Sequence, residues 1–208
     1  MADDRSRAPQ ARTRLARRAV LAAARKLFLE RGYGATTIEG ISSESEVPQA
    51  TVYRLFSSKK GILKALLDTS VAGDDEPVPV AERSHVRSLL DATLPKDSLA
   101  RLAAVSVDIN TRIAPIYRIL VSAASSDTDA AAILDELTRQ RQEGQGRVAA
   151  ALARAKALRP GLRANDAGDV IHALASPELY HLLVVDRAWS PARYEQWLGD
   201  ALAGQLLP

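Results

Sequence analysis

The chain has 208 residues and no cysteine, which excludes disulfides, thiolate metal sites and cysteine nucleophiles. Its hydrophobic content of 47% is typical of a folded protein, and its aromatic content of only 4% leaves Ala, Leu and Val to fill the core, which favours helices. Residues 1–72 carry 13 Lys and Arg against 7 Asp and Glu, whereas residues 73–208 carry 15 against 18. We therefore expect only the basic front of the chain to meet a polyanion.

Membrane association is not predicted. No apolar run approaches the ~20 residues that a bilayer-spanning helix needs. Residues 12–31 offer mostly alanine opposite their basic side, whereas a membrane-surface helix needs bulky apolar residues there. The absence of cysteine is typical of a cytoplasmic protein, and we expect this location.

The first third of the chain predicts an arm followed by short helices. Residues 1–12 carry Asp, Arg, Ser, Pro and Gln and are predicted to form a disordered basic arm. Apolar residues then recur at helical spacing up to about residue 31, and Gly32 ends this helix. Thr36 or Thr37 can cap a second helix through its hydroxyl group.

A turn and two further helices follow. Val47-Pro48 marks the turn, and the third helix is expected to end near Phe56. Ser57 or Ser58 is placed to cap a fourth helix.

Two short helices joined by a tight turn form a helix-turn-helix, whose second helix lies in the major groove of DNA. The second helix offers polar groups able to contact phosphates and base edges, and among them we expect Gln49, Thr51 and Arg54 to read bases. Phosphate contacts are expected from Thr37, Tyr53 and Lys59. The alternative is an ordinary helical hairpin in a core. With Ala50 on the same helix, the candidate DNA-binding residues are Thr37, Gln49, Ala50, Thr51, Tyr53, Arg54 and Lys59.

The rest of the chain also predicts helices, so the expected fold class is all-α. Residues 73–79 break every periodicity and predict a linker. Beyond it we expect helices at about 80–93, 97–113, 115–125, 128–157, 165–187 and 191–206.

A family resemblance covers residues 14–64. This segment resembles the DNA-binding domain of the TetR family of bacterial transcriptional regulators. Three positions depart from the family pattern: Ser45 and Glu46 stand where a small residue and glycine are usual, and Leu55 stands where a polar residue is frequent. A glutamate in a left-handed turn would be strained. The matching residues are Leu27-Phe28, Gly32-Tyr33, Thr36-Thr37-Ile38, Ile41, Val47, Thr51-Val52-Tyr53, Phe56, Ser58-Lys59 and Ile62-Leu63.

The resemblance implies an all-α homodimer with two parts in each subunit. Residues 13–72 would form a three-helix helix-turn-helix DNA-binding head with a connecting helix. Residues 73–208 would form a helical body for ligand binding and dimerisation, whose last two helices pair across the dimer.

Apolar residues surround the predicted helix at 165–187 and recur along the last helix, so both need cover on more than one side. We expect this cover from a second copy of the chain, and the alternative is a monomer core. The predicted interface residues are Leu179, Leu182, Leu183, Trp197, Leu198 and Ala201.

The alanine-rich helices of the body also contain a few polar residues that suit a mostly apolar effector pocket: Asn110, Arg112, Tyr117 and His172. The alternative is that Asp108 and Arg112 form an exposed pair four residues apart and that the others are ordinary core or interface residues.

Enzyme signatures are weak. Gly144-Gln145-Gly146 follows a helical pattern and not a strand, so a dinucleotide site is not predicted. The carboxylate–histidine pairs ending at His172 and His181 point in nearly opposite directions. We predict no catalytic residue, cofactor or metal site. The leading hypothesis is a ligand-responsive repressor that binds a double-stranded DNA operator and a small-molecule effector. The alternative is a small-molecule binding protein with a vestigial DNA-binding head.

Overall fold

The computed structural model describes residues 4–73 and 94–208, and the part it describes is built of helices. The predicted all-α class is confirmed. The helix predicted at 80–93 lies outside the described residues. The helices are α1 (Asp4–Ala35), α2 (Ile38–Ser45), α3 (Gln49–Phe56), α4 (Lys59–Ala72), α5 (Pro95–Ala124), α6 (Thr128–Arg154), α7 (Ala164–Leu174), α8 (Pro177–Tyr180), a π-helical turn (His181–Asp186) and α9 (Pro191–Leu206).

The chain divides into two compact units, each made of two segments. Met1–Thr69 and Pro115–Leu134 form the first unit, and Ser70–Ala114 and Asp135–Pro208 form the second. The sequence had placed 115–134 entirely in the body. Residues 115–134 belong instead to the unit that contains the head, and an ion pair of 2.9 Å joins Lys60 Nζ on α4 to Asp129 Oδ1 on α6.

Local signals set the ends of the first helices. Gly32 interrupts α1 with φ 77° and ψ 167°, which supports the predicted stop. Thr37 caps α2 by accepting a hydrogen bond of 3.0 Å from the Gly40 amide. The Ser58 hydroxyl accepts one of 3.1 Å from the Gly61 amide and caps α4.

The basic arm predicted at 1–12 differs from the structure, in which α1 already begins at Asp4. Arginine, alanine and glutamine dominate this stretch, and all three have high helix propensity. Composition typical of disorder therefore coexists here with a helix.

The break predicted at Pro115 is absent, because α5 runs through it from Pro95 to Ala124. A proline inside a helix costs about 3 kcal/mol. Ile113, Ala114, Ile116 and Tyr117 around it are all at most 4% exposed. Burial of large apolar side chains contributes about 1.5–3 kcal/mol each, which outweighs the cost of the proline.

The single helix predicted at 165–187 is also wrong, because the chain breaks at Ser176 into α7, α8 and the π-helical turn. A residue before proline avoids the helical conformation, and Ser176 is extended at φ −74° and ψ 147°. Its hydroxyl then accepts a hydrogen bond of 3.2 Å from the Leu179 amide and caps α8.

The second unit is centred on an apolar cluster to which α5, α6, α7 and α9 contribute. Tyr194 is fully buried there, and its hydroxyl donates to the Leu174 carbonyl at 3.1 Å. Tyr180 packs edge-on against Tyr194, with ring centroids 5.3 Å apart. Aromatic residues are few in this chain, and these two occupy the centre of its second unit.

Candidate nucleic-acid interface

Helix α3 presents one polar face to solvent and one apolar face to the core. Gln49, Ala50, Tyr53 and Arg54 are exposed and Thr51 is half-buried. On the opposite side, Val52 is 0% and Phe56 7% exposed. The structure thus brings together on one two-turn helix five of the seven residues predicted to contact DNA.

Thr37, the sixth predicted residue, is exposed at the start of α2. Its neighbour Thr36 is buried, and the Thr36 hydroxyl donates to the Gly32 carbonyl at 2.8 Å. The two adjacent threonines therefore differ in role, since Thr36 fixes the end of α1 and Thr37 caps the free N-terminus of α2.

The turn between α2 and α3 holds a strained residue. Glu46 has φ 55° and ψ 21°, the left-handed conformation expected from its place in the turn. The Ser42 hydroxyl donates to the Val47 carbonyl at 2.7 Å and ties the turn to α2. The glutamate side chain is exposed, which places a negative charge beside a helix that otherwise suits DNA.

Lys59, the seventh predicted residue, has an internal role that the sequence did not reveal. Its Nζ donates to the Tyr33 carbonyl at 2.9 Å and lies 4.3 Å from the centroid of the Tyr33 ring. Lys59 therefore joins the start of α4 to the end of α1. An ammonium group has three N–H donors, so this bond leaves capacity for a phosphate.

Tyr33 itself is 4% exposed, and burial raises the pKa of its phenol to about 12, with a further contribution from the carboxylates of Asp127 and Asp129. The phenol is therefore neutral at physiological pH. Its ring provides a fixed platform for the Lys59 ammonium group.

Gly61 is a position that the sequence reading missed. A Cβ atom at this residue would lie 2.0 Å from the Phe56 carbonyl oxygen. Only glycine therefore fits where the chain passes from α3 to α4. The sequence does contain a signal for this role. A glycine in the first turn of a helix lowers helix propensity, so its presence there indicates a steric requirement.

The residues predicted to bind an effector are divided between the two units. Asn110, Arg112 and His172 lie in the second unit, and Tyr117 lies in the first. Asn110 is 4% exposed, and its Nδ2 donates to the Ala175 carbonyl at 3.3 Å. Arg112 forms the expected ion pair with Asp108 and donates from Nε to the Ser70 carbonyl at 2.8 Å.

His172 lies against α6, where its Nδ1 is 2.7 Å from Gln145 Oε1. Burial lowers the pKa of its imidazole below the ordinary value, and the charge of Arg141 acts in the same direction. Arg141 also donates to the His172 carbonyl at 3.4 Å. A neutral imidazole with an amide partner is a polar group able to orient a ligand, and the ligand-binding role of His172 stays a prediction.

The predicted interface residues divide into two sets. Leu182 is 46% exposed, and Leu179, Leu183, Trp197 and Ala201 are half-buried. Leu198 is 0% exposed and belongs to the apolar cluster of the second unit, so it offers no surface to a partner. It lies on the side of α9 that also carries the buried Tyr194, four residues before it.

Residues 4–73 and 94–208 contain neither a metal-binding group of side chains nor a membrane-spanning helix. No group of three or more His, Asp or Glu side chains there is placed to hold a metal ion. Within the same ranges, no helix has the length and apolar character needed to cross a membrane.

Comparisons with known proteins agree with the geometry of α2 and α3. Residues 20–66 match the family described as bacterial regulatory proteins, tetR family. An HTH-type transcriptional repressor of Mycobacterium tuberculosis is 36% identical over 102 residues, which cover 45% of this chain and 54% of the relative. The chain spans about half the length of the curated relatives it matches.

Solved structures share the fold over nearly the whole chain. The SmeT–triclosan complex superposes with a TM-score of 0.72 at 18% identity and covers 93% of this chain and 92% of its own. A transcriptional regulator from Saccharomonospora viridis in complex with choline gives a TM-score of 0.69 at 20% identity and covers 93% and 98%. These likenesses extend the fold assignment to residues beyond the helix-turn-helix.

Proposed function

We propose that this chain, a member of the TetR family by its N-terminal domain, is a ligand-responsive DNA-binding transcriptional regulator and not an enzyme. The observation that carries the proposal is the two-faced α3, with Val52 and Phe56 in the core and Tyr53 and Arg54 in solvent. A regulator of this kind acts on chromosomal DNA in the cytoplasm.

Contacts with DNA divide by chemistry. Gln49, Thr51 and Arg54 suit base edges, and an arginine pairs best with guanine. Thr37 and Tyr53 suit phosphates, which position the protein and carry no sequence information. Lys59 supplies a further phosphate contact while it holds the start of α4 to Tyr33.

The test is selection of bound duplexes from a random pool, followed by titration of variants. Arg54→Ala should weaken binding to the selected operator by about 1–3 kcal/mol and weaken random DNA less. Arg147→Ala removes an exposed arginine from the second unit and is the matched control. Equal losses on both DNAs would assign Arg54 to the phosphates, and an absence of any selected duplex would refute the proposed function.

The protein is proposed to be a homodimer that uses the exposed surface of the π-helical turn. Leu182 is 46% and Val185 55% exposed, and half-buried Leu179, Leu183, Trp197 and Ala201 accompany them. Exposed apolar side chains gathered in one segment are typical of an interface. Light scattering should give twice the subunit mass of 22.4 kDa. A monomer at micromolar concentration would contradict this.

The effector is proposed to be small and mostly apolar. Its binding would release the protein from DNA and so relieve repression. Among structures of this fold, SmeT holds triclosan, which supports an apolar effector, whereas the Saccharomonospora viridis regulator holds the cation choline. A dimer reads half-sites about 34 Å apart, so a ligand that favours another spacing must weaken DNA binding.

A thermal-shift screen of a ligand library, with hits titrated into the operator complex, tests this coupling. We expect apolar hits that raise the melting temperature and release DNA. Hits that stabilise the protein without changing operator affinity would contradict the coupling, and a purely cationic or sugar-like set of hits would contradict the apolar effector.

A further inference from the structure

Helix α1 extends well beyond the core that it helps to build. From residue 11 onward, Val20 is the first buried side chain of this helix, and residues 11–19 are exposed or half-buried. The helix begins at Asp4, so about 16 residues precede the buried part. At a rise of 1.5 Å per residue they extend over about 24 Å. Packing in the core does not explain a helix of this length.

Apart from Asp4 at its start, this extension carries only positive charge. From Arg5 to Leu29 the sequence contains eight arginines and lysines and no acidic residue. Lys26 of this run pairs with Glu44 on α2 at 2.6 Å. The accumulated positive charge of the run attracts a polyanion.

One side of the extension continues into the end of α3. Arg17 places its guanidinium carbon 4.9 Å from the centroid of the Phe56 ring, and Phe56 is the last residue of α3. Arg14 and Arg18 share this side of α1, because they lie three residues before and one residue after Arg17. We call Arg14, Arg17 and Arg18 the arginine face. Arg12 lies about 160° around the helix from Arg14, on the opposite side.

We propose that the arginine face binds the phosphates of double-stranded DNA that flank the base pairs read by α3. The inference rests on the proposed function, since it extends the same contact surface. Three observations carry it: the positive charge from Arg5 to Leu29, the lack of buried side chains at residues 11–19, and the contact of Arg17 with the final residue of α3. The footprint on DNA then reaches beyond the base pairs that α3 can touch.

Salt dependence of operator binding is the direct test, because each phosphate contact adds about 0.9 to the slope of log affinity against log salt concentration. The probe is a duplex selected from a random pool by the unmodified protein, titrated between about 50 and 200 mM salt. Arg14→Gln should lower the slope by about 0.9 for each bound protomer. Arg14→Lys should keep the slope, because a phosphate needs charge and not the guanidinium shape.

The matched control is Arg12→Gln, which removes the same charge from an exposed arginine on the other side of the same helix. We expect its slope to equal that of the unmodified protein. Trimming the duplex to the half-sites alone should lower the slope of the unmodified protein by more than Arg14→Gln does, because it removes the phosphates of the whole arginine face. Circular dichroism of each variant checks that helix content is kept.

The outcomes distinguish a failure of the arginine face from a failure of the proposed function. If the unmodified protein selects an operator but Arg14→Gln and Arg12→Gln give the same slope, the arginine face is refuted and the proposed function stands. If no duplex is selected, the proposed function itself fails. Binding to vesicles of phosphatidylglycerol that Arg14→Gln abolishes, together with an unchanged slope on DNA, would replace DNA by a membrane surface as the partner.

Discussion

Two regions of this molecule hold their shape by different means. In the turn region, residues 36–63, the backbone itself carries the constraints: Glu46 and Ser57 have positive φ, and Gly61 leaves no space for a Cβ atom. In the closing region, residues 164–206, side chains hold backbone carbonyls, as Asn110 holds Ala175 and Tyr194 holds Leu174. The turn region should therefore be sensitive to added atoms, and the closing region to lost polar groups.

The largest effect is expected from Gly61→Ala. The new methyl group would lie 2.0 Å from the Phe56 carbonyl, so the backbone must move. Overpacking against backbone should cost about 3 kcal/mol or more. Urea denaturation should report the loss, and operator binding should fall with it.

Gly204→Ala is the matched control for this prediction. Gly204 lies in α9, and a Cβ atom added there would have no other atom within 4 Å. Alanine should therefore stabilise the protein by about 0.5–1 kcal/mol. If Gly61→Ala behaved like Gly204→Ala, the backbone constraint in the turn region would not exist.

The next largest effect belongs to the closing region. Asn110→Leu keeps the volume of the side chain but leaves the buried Ala175 carbonyl without its donor at 3.3 Å. An unsatisfied buried acceptor costs about 1–3 kcal/mol. Thermal unfolding measures this loss. A stable variant that loses the response to an effector would instead place Asn110 in the ligand pocket, as the sequence predicted.

A smaller effect, of opposite sign, is expected from Glu46→Gly. Glycine relieves a left-handed conformation that costs about 1–2 kcal/mol, partly offset by the greater freedom of the unfolded chain. The net stabilisation should be about 1 kcal/mol in thermal unfolding. Operator affinity at low salt should also rise, because a negative charge leaves the vicinity of α3.

Lys156→Gly distinguishes the gain in stability from the gain in operator affinity that we expect for Glu46→Gly. Lys156 also has positive φ, at 54°, and lies in the second unit. It should give a similar gain in stability with no gain in DNA affinity. If both variants left the melting temperature unchanged, strain at positive φ would not limit the stability of this protein.

The smallest effect is a pH dependence that arises from His172. Because burial lowers the pKa of this imidazole in the folded state, protonation favours the unfolded chain. Stability is therefore fully present above the ordinary pKa of about 6.5 and falls as the pH drops below it. Melting temperatures measured from about pH 7.5 down to pH 5.5 should decrease, and the decrease should be smaller in His172→Gln. An equal slope in both proteins would assign the pH dependence to other groups.

The contrast between local backbone constraints and side-chain contacts with distant residues explains which features could be predicted from the sequence. Gly32 and Thr37 act on their own local backbone, so residue type and spacing were sufficient. The left-handed Glu46 was implied by the family resemblance, because glycine is usual at its position. The break at Ser176 follows from Pro177, a local signal that apolar periodicity alone overlooks. The bond from Asn110 to the Ala175 carbonyl joins residues 65 apart in the sequence, and periodicity does not report such a partner.

Side-chain contacts between distant segments were the other feature that the sequence did not reveal. Lys59 is held by Tyr33, and the sequence showed only a lysine at the start of a helix. Leu198 looked like an interface residue because core and interface positions on a helix have the same apolar character. Only three-dimensional contacts distinguish these cases.

The division of the first unit into two chain segments has a consequence for synthesis on the ribosome. Thr69 ends its first segment, but the unit is complete only with Leu134, which is 65 residues further along the chain. At about 5–20 residues per second, this gap corresponds to roughly 3–13 seconds of translation. During that interval the helix-turn-helix has emerged without the ion pair between Lys60 and Asp129. A nascent chain stalled before residue 115 should consequently be more accessible to proteases in α4 than the finished protein.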